Sequence, residues 1–440
     1  MKKNSALDGI FESYLSNEKI FKNRNVLRPS YVPEKLPHRD EQIKRVGVIL
    51  ASTLKGGIPS NVLCYGKTGT GKTAVVKYVL KHLSEKSREL SIKEPIIGYI
   101  NCGIVDTNYR VLAQLNKSIG IDVPFTGLPT DEIYRRFVEG LEKKGSLMII
   151  VLDEIDMLVK KSGDSVLYDL TRINSTLEKA KVSLIGISND LKFKEYLDPR
   201  VLSSLGEEEI VFPPYTASEL KDILSERAKE AFQEGALGPG VINLCAALAA
   251  REHGDARRAL DLLRVAGELA ERENADKVTE EHVRKAKSQI ESDIVTETLK
   301  KLPLQSKLVL YAIFVLTKQK GSNIITGEVY STYMDMCQDL NIEPVTQRRV
   351  SDLINELDML GVINSSVISK GRYGRSKKIK LTVPKKIVWD ILEEDYRLKK
   401  LSKYVSNSED WFLYFNYFDK IIEFNKFNDL YNFIVVWFEW

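Results

Sequence analysis

The sequence predicts an α/β domain on a parallel sheet, then an all-helical domain and a carboxyl-terminal winged-helix domain, and three observations carry that expectation. An apolar strand, Val62-Leu63-Cys64-Tyr65, runs into Gly66-Lys67-Thr68-Gly69-Thr70-Gly71-Lys72-Thr73 and on into a helix whose Val75, Val76, Val79, Leu80 and Leu83 share one face. Leu147 to Asp156 reads Leu-Met-Ile-Ile-Val-Leu-Asp-Glu-Ile-Asp, the continuous apolar run of a strand buried on both faces. Residues 305–383 hold three helical stretches and a basic two-stranded ribbon.

The first stretch is a strand, phosphate loop and helix. Gly66, Gly69 and Gly71 let the backbone wrap a polyphosphate with its N–H groups inward, because no Cβ obstructs a positive φ or a close approach. The helix that follows presents its positive end to the same phosphates. Lys72 is expected to reach the β- and γ-phosphates and the Thr73 hydroxyl to ligate Mg²⁺. The alternative, an ordinary Gly-rich turn, does not call for the flanking strand and helix. In the second stretch, Asp153 and Glu154 end a buried strand, where open α/β sheets bind ligands. Asp153 is expected to hold Mg²⁺, directly or through water, and Glu154 to polarise the water that attacks the γ-phosphate. Acids in this place otherwise serve as helix caps.

At 440 residues the chain exceeds one core, and about three domains are expected. Its 43% hydrophobic and 29% charged residues are those of a soluble globular protein. Cys64, Cys102, Cys245 and Cys337 lie far apart, so neither a zinc site nor a disulfide framework is indicated. No signal-peptide core follows Met1-Lys2-Lys3 and no apolar run is long enough to span a bilayer, so a cytoplasmic protein without membrane contact is expected.

Residues 1–28 read as a weakly structured lead-in and 29–214 as the α/β domain. The prolines of Tyr31 to Asp40 enforce extended backbone, and Asp40 is expected to cap a helix over Ile43, Val46, Ile49 and Leu50 that would wall a bound base. His38 alone is a poor ligand candidate, and a structural role is expected for it. Strands at Ile96–Ile100, Ser183–Ser188 and Glu209–Phe212 complete the sheet, with helices at Asn108–Ser118, Ile133–Glu142 (capped by Thr130 or Asp131) and Ser165–Lys179. Asn189, ending one of these strands, is placed to orient the water or contact the γ-phosphate. Ile119 to Thr130 is a Gly- and Pro-rich loop with the apolar Phe125 near its middle. Residues 215–302 turn helical: Ala217–Phe232 behind the capping signal Thr216 to Glu219, then Pro239–Glu252, Asp255–Asn274 and Glu280–Leu302. Arg257 and Arg258 fall in the first turn of the third helix, against its dipole unless an anion lies near.

These motifs resemble the AAA+ ATPases, and more narrowly the archaeal origin-recognition-type replication initiators, relatives of the eukaryotic origin recognition subunit and the helicase loader. The likeness is carried by Tyr-Val-Pro-Glu-Lys-Leu-Pro-His-Arg (31–39), Gly-Lys-Thr-Gly-Thr-Gly-Lys-Thr (66–73), Asp-Pro-Arg-Val-Leu-Ser-Ser-Leu (198–205), Phe-Pro-Pro-Tyr (212–215) and Gly-Asp-Ala-Arg-Arg-Ala-Leu (254–260), and covers roughly residues 20–400. It implies an AAA+ P-loop domain with a helical lid, in which Tyr215 and Arg227 line an ATP or ADP site and Arg257 is the second sensor of the γ-phosphate. It implies that Arg200 is a finger acting on a neighbouring subunit; many relatives put that finger in a Ser-Arg pair, where this chain reads Ser203-Ser204. It also places a DNA-touching insertion at the loop Ile119 to Thr130.

The winged-helix domain, residues 303–400, is expected to have helices at Ser306–Thr317, Thr326–Leu340 and Thr346–Leu360, then ribbon strands Val362–Val367 and Lys377–Val383 about a Gly371–Arg375 hinge. Thr346, Gln347, Arg348 and Arg349 open the third helix, the end that enters a major groove in helix-turn-helix modules. Lys370, Arg372, Arg375, Lys377 and Lys378 belong to a run of eight basic residues, Lys370 to Lys386, without one acid, and would bind phosphates unless the run is merely a solvated hairpin. The last 37 positions, from Tyr404, hold 14 of the 38 aromatic residues, a density fitting a partner-binding or self-packing appendage over 401–440. The expectation is a slow, regulatory ATPase that binds double-stranded origin DNA and helps recruit the replicative helicase, with other initiator subunits as further partners, at the nucleoid. Its rivals are a winged-helix transcription regulator using ATP as a ligand and a clamp-loader-like ATPase without sequence preference.

Overall fold

The computed structural model describes residues 19–29, 31, 33–124, 127–321, 324–369 and 375–406. They form two compact units that part between Lys287 and Ser288. In the first, β1 (Val62–Tyr65), β2 (Ile96–Asn101), β3 (Leu147–Asp153), β4 (Lys181–Ser188) and β5 (Glu208–Val211) make a parallel sheet in the order β2-β3-β4-β1-β5. The strands' alternation builds two cores. Leu63, Ile150, Leu152 and Leu184 face Phe137, Ile155 and Leu167 on one side. Val62, Cys64, Ile149, Val151, Ile185 and Ile187 face Val46, Val75, Val76 and Val79 on the other. Because β4 lies between β1 and β3, the loops leaving all three strands open on one edge.

Around the sheet lie α1 (Asp40–Ala51), α2 (Lys72–Glu89), α3 (Asn108–Ser118), α4 (Thr130–Lys144), α5 (Ile155–Ser162), α6 (Ser165–Arg172) and α7 (Pro199–Leu205). Three local expectations fail. Asp40 is the first helical residue and not the cap, which is Arg39 without a side-chain capping bond. Thr130 and Asp131 likewise lie inside α4, whose cap is Pro129. The single helix expected over Ser165–Lys179 stops at Arg172, a 3₁₀ turn follows, and α5 precedes it unpredicted. Asn174 explains the stop: its side chain accepts from Val182 N at 2.8 Å and donates to Val182 O at 2.7 Å, stitching the turn to β4.

The helices α8 (Ala217–Ala231), α9 (Val241–Arg251), α10 (Ala256–Arg272) and α11 (Glu280–Lys300) follow, the last running across the division between the units. The capping box of Thr216 and Glu219 is present. The largest departure is in the lead-in. Ile20, Phe21, Val26 and Leu27 are buried, Lys22 N donates to Ala231 O at 2.8 Å, and the Phe21 and Phe232 rings lie 4.7 Å apart. A Cβ on Gly267 of α10 would come within 2.4 Å of the Phe21 ring, so that glycine makes room for it.

In the second unit α12 (Leu304–Lys320) is buried on every side from Ser306 to Thr317. It is surrounded by α13 (Thr326–Leu340), α14 (Gln347–Met359) and the three-stranded sheet β6-β8-β7, made of β6 (Ile324–Ile325), β7 (Ile363–Ser369) and β8 (Arg375–Leu381). An unexpected helix, α15 (Lys385–Glu394), stacks Trp389 on Phe314 at 5.9 Å, so the end of the basic run belongs to a helix and not to the ribbon. Lys307 and Asp395 form a buried ion pair at 2.9 Å, and Arg397 donates to the same carboxylate at 2.6 Å.

Phe21→Ala should leave a cavity against Phe232 and Gly267 and cost about 3 kcal/mol; a urea midpoint equal to wild type would count against the clasp.

Candidate functional site

Gly69 and Gly71 have φ of +70° and +89°, values that L side chains rarely adopt, and a Cβ on Gly66 would lie 2.4 Å from Phe212 O. The loop they allow turns inward on Lys72, whose buried ammonium donates to Gly66 O at 2.8 Å and Lys67 O at 2.7 Å. Burial, reinforced by the Arg257 charge, pushes the Lys72 ammonium down to about 8, with Asp153 pulling the other way. Thr70 closes the loop from its side chain to Lys67 O at 2.9 Å, and Lys67 and Thr68 are exposed.

Thr73 Oγ1 donates to Asp153 Oδ2 at 2.9 Å, and Tyr99 OH donates to the same oxygen at 2.5 Å. The Glu154 amide donates to the other oxygen at 3.0 Å. A hydroxyl and a carboxylate side by side suit a hard cation, and among the described residues no group of three or more His, Cys, Asp or Glu forms a self-sufficient metal cage. Such a donor set fits Mg²⁺, which takes one or two protein oxygens and completes its shell with water and substrate phosphate. Glu154 sits at the β3–α5 turn with φ +56°, a left-handed conformation for a side-chain-bearing residue of the kind that gathers at functional sites. Its carboxylate occupies the space a Cβ on Gly103 would take, 2.2 Å from Glu154 Oε2. Asp156 Oδ1 accepts from Ser188 Oγ and Asn189 N, both at 3.2 Å, and so fixes the turn that carries Asn189.

A cavity of about 460 Å³, within the usual range for ligand sites, brings the loop together with Asp153, Glu154, Asn189, Tyr215, Arg227 and Arg257. Its far wall is not α1, as expected, but the proline-rich segment before it, through Arg28, Tyr31 and Leu36, facing Ile223 and Arg227 of α8. α1 is instead packed into the core of the sheet, where Val46 and Leu50 join Val62, Cys64, Val75 and Val76. Arg227 lies over the Tyr31 ring at 4.7 Å, and Tyr31 OH donates to Glu230 at 3.0 Å. His38 pairs with Asp222 of α8 at 3.0 Å, the structural role expected.

The two arginines of α10 part company. Arg258 pairs with Glu252 at 2.8 Å, while Arg257 is exposed into the cavity. The first-turn penalty is met by Asp255, which accepts from Arg257 N at 2.7 Å and Arg258 N at 3.2 Å. Arg200 does not line the cavity; it is exposed and forks onto Asp198 with two bonds of 3.0 Å. Sequence reasoning gave no role to Tyr99, Gly103 or Asp156. The one available signal was position: each lies within three residues of a strand end on the functional edge.

In the second unit Thr346 caps α14, its hydroxyl accepting from Arg349 N at 3.4 Å. Gln347 and Arg348 are exposed, while Arg349 pairs with Glu356 of its own helix at 2.9 Å. Lys378 is exposed and Lys377 donates to Asn355 of α14. Arg375 opens β8; Lys370, Arg372 and Phe125, like the tail beyond Ser406, lie outside the described residues.

A parallel sheet with a phosphate loop, a helical lid reaching into the cavity and a separate winged helix define an AAA+ ATPase-type protein. The family models agree: an AAA domain over residues 59–192, the Cdc6 AAA+ ATPase-type lid domain over 221–288 and the CDC6 C-terminal winged helix domain over 297–391. The chain is 60% identical to an ORC1-type DNA replication protein of Pyrococcus abyssi over 90% of this chain and 95% of that one, and 57% identical to one of Methanosarcina acetivorans over 91% and 97%. The solved structure of the Aeropyrum pernix ORC1 protein in complex with DNA is 50% identical, covers 87% of this chain and 99% of that one, and superposes with a TM-score of 0.78. This chain belongs to the family of ORC1-type DNA replication proteins.

Phosphate binding favours protonated Lys72, so ATP affinity should hold up to about pH 7.5 and fall above about pH 8, by up to tenfold per pH unit, as the nucleotide-free lysine loses its proton. Lys72→Arg, permanently charged, should flatten that slope in calorimetric titrations; an equal slope in both proteins would remove Lys72 as its source.

Proposed function

We propose that the protein is an ATP-controlled initiator that binds double-stranded origin DNA through its winged helix and helps recruit the replicative helicase. The observation carrying this reading is the pairing, in one ORC1-type chain, of a complete phosphate site with a helix that opens on Arg348 and Arg349 and a ribbon strand rich in Lys and Arg. ATP would lie with its phosphates along Gly66 to Thr73 and its base between the Tyr31–Leu36 segment and α8, against Tyr215 and Arg227. Mg²⁺, held by Thr73 and Asp153, would neutralise charge on the β- and γ-phosphates. Glu154 would accept a proton from the attacking water, Asn189 would orient it, and Lys72 and Arg257 would meet the charge developing on the phosphoryl oxygens. Release of the γ-phosphate takes away Arg257's partner, so nucleotide state biases the position of α10. Hydrolysis is slow and serves as a timer, and Arg200, turned away from its own cavity, would act as a finger toward a neighbouring subunit.

On DNA, Arg348 would read base edges while Thr346, Gln347 and Arg349 steady the helix end and Lys370, Arg372, Arg375, Lys377 and Lys378 bind phosphates. The loop 119–130 would make a second DNA contact, as the family resemblance implies.

Filter binding with origin repeats against random duplex tests the reading; equal affinity would favour the clamp-loader-like alternative, and genomic footprints spread over promoters would favour the regulator. Lys72→Ala should abolish ATP binding, whereas Glu154→Gln should retain bound ATP with turnover reduced at least about a hundredfold. Unchanged turnover would strip Glu154 of its role. Arg348→Ala should weaken specific binding by about 1–3 kcal/mol and random duplex far less; an equal loss on both would make it a phosphate contact.

A further inference from the structure

Arg39 is 2% exposed, and no carboxylate is among its hydrogen-bond partners. Its three bonds go to main-chain carbonyls: Nε to Thr70 O at 2.9 Å, Nη1 to His38 O at 2.8 Å and Nη2 to Pro213 O at 2.7 Å. The guanidinium carbon lies over the Tyr215 ring, 3.7 Å from its centre. A buried cation bonded to neutral oxygens is costly to keep. Lowering of its proton affinity by that burial agrees with the geometry.

The bond to Thr70 O has a directional consequence. Across a trans peptide the C=O and the next N–H point opposite ways, and Arg39 is buried and absent from the cavity lining to which Gly69 to Ala74 belong. The Thr70 carbonyl is drawn backward, so the Gly71 N–H is aimed forward into the space a polyphosphate would fill. That peptide plane has little else to hold it: Gly71 sits at φ +89° with no side chain, and a glycine there tolerates the plane's reversal. A reversed plane would present a carbonyl oxygen to the phosphates.

The geometry points to Arg39 as a positioning residue that locks the Thr70–Gly71 peptide with its N–H toward the phosphate chain and, through Pro213 O and Tyr215, ties that lock to the start of the lid. This rests on the nucleotide reading above. The Gly71 amide serves phosphates beyond the first, so the lock favours di- and triphosphates over monophosphates.

The test compares ADP and AMP affinities, by displacement of a fluorescent ADP, in wild type, Arg39→Lys and Arg39→Met. In Arg39→Met the ratio of ADP to AMP affinity should fall about tenfold, the size of one charge-assisted hydrogen bond. Arg39→Lys, which keeps a charge and reaches one carbonyl, should recover part of it. A ratio unchanged in both variants, whether the two affinities hold or fall together, overturns the lock. If Arg39→Met fails to melt cooperatively, Arg39→Lys alone decides, a ratio equal to wild type overturning the inference. Wild type that binds no ADP would instead sink the nucleotide reading itself.

Discussion

The site depends on how closely the phosphate loop is packed against the first turn of α10. Ala256 N donates to Gly69 O at 3.1 Å, and a Cβ on Gly69 would fall 1.7 Å from the Asp255 carboxylate. Only a bare backbone fits between loop and lid. The same carboxylate caps α10, so the residues that cradle phosphate and the helix that carries Arg257 share one hydrogen-bonded junction. A second junction, of Gly254 with Tyr215 main chain, brings the lid's entry strap to the same place, since a Cβ on Gly254 would lie 2.4 Å from Tyr215 O. Loop and lid are therefore in direct backbone contact at this junction.

The charges around this junction are unequal in their partners. Asp153 is held by a threonine, a tyrosine and a main-chain amide, all neutral donors, while Lys72 bonds only carbonyls and Arg257 stands open to the cavity. The cations of the site are thus left to an anion from outside. That arrangement raises the electrostatic value of a bound polyphosphate in a partly enclosed cavity, and it is the reason burial and a neighbouring cation depress the Lys72 ammonium in the nucleotide-free protein.

What could be read from the sequence was what is contiguous in it. The phosphate loop and the Asp153-Glu154 strand end announce themselves because one short stretch supplies both the backbone geometry and the chemistry, and the helices of the lid and winged helix were found within a few residues because their apolar periods are long. Tyr99, Asp156 and Arg39 were not, because each gains its role from a partner on another element. Tyr99 is an ordinary strand aromatic until β2 pairs with β3 and sets Asn101 beside Asp153. The end of the Ser165–Lys179 stretch was missed for the same reason: Asn174 breaks the helix only through its bonds to β4. Helix α15 escaped because its first residues, Lys385 and Lys386, continue the basic run of the ribbon.

The clasp of Ile20, Phe21 and Leu27 on the lid bears on synthesis. Those residues are made early, and the surface they bury against, Phe232 and Gly267, is translated more than two hundred residues later. At about 5–20 residues per second the nascent chain carries that apolar segment unpaired for roughly 10–40 s. The clasp can therefore close only once Phe232 and Gly267 have been made, with the whole sheet lying between its two halves in the chain.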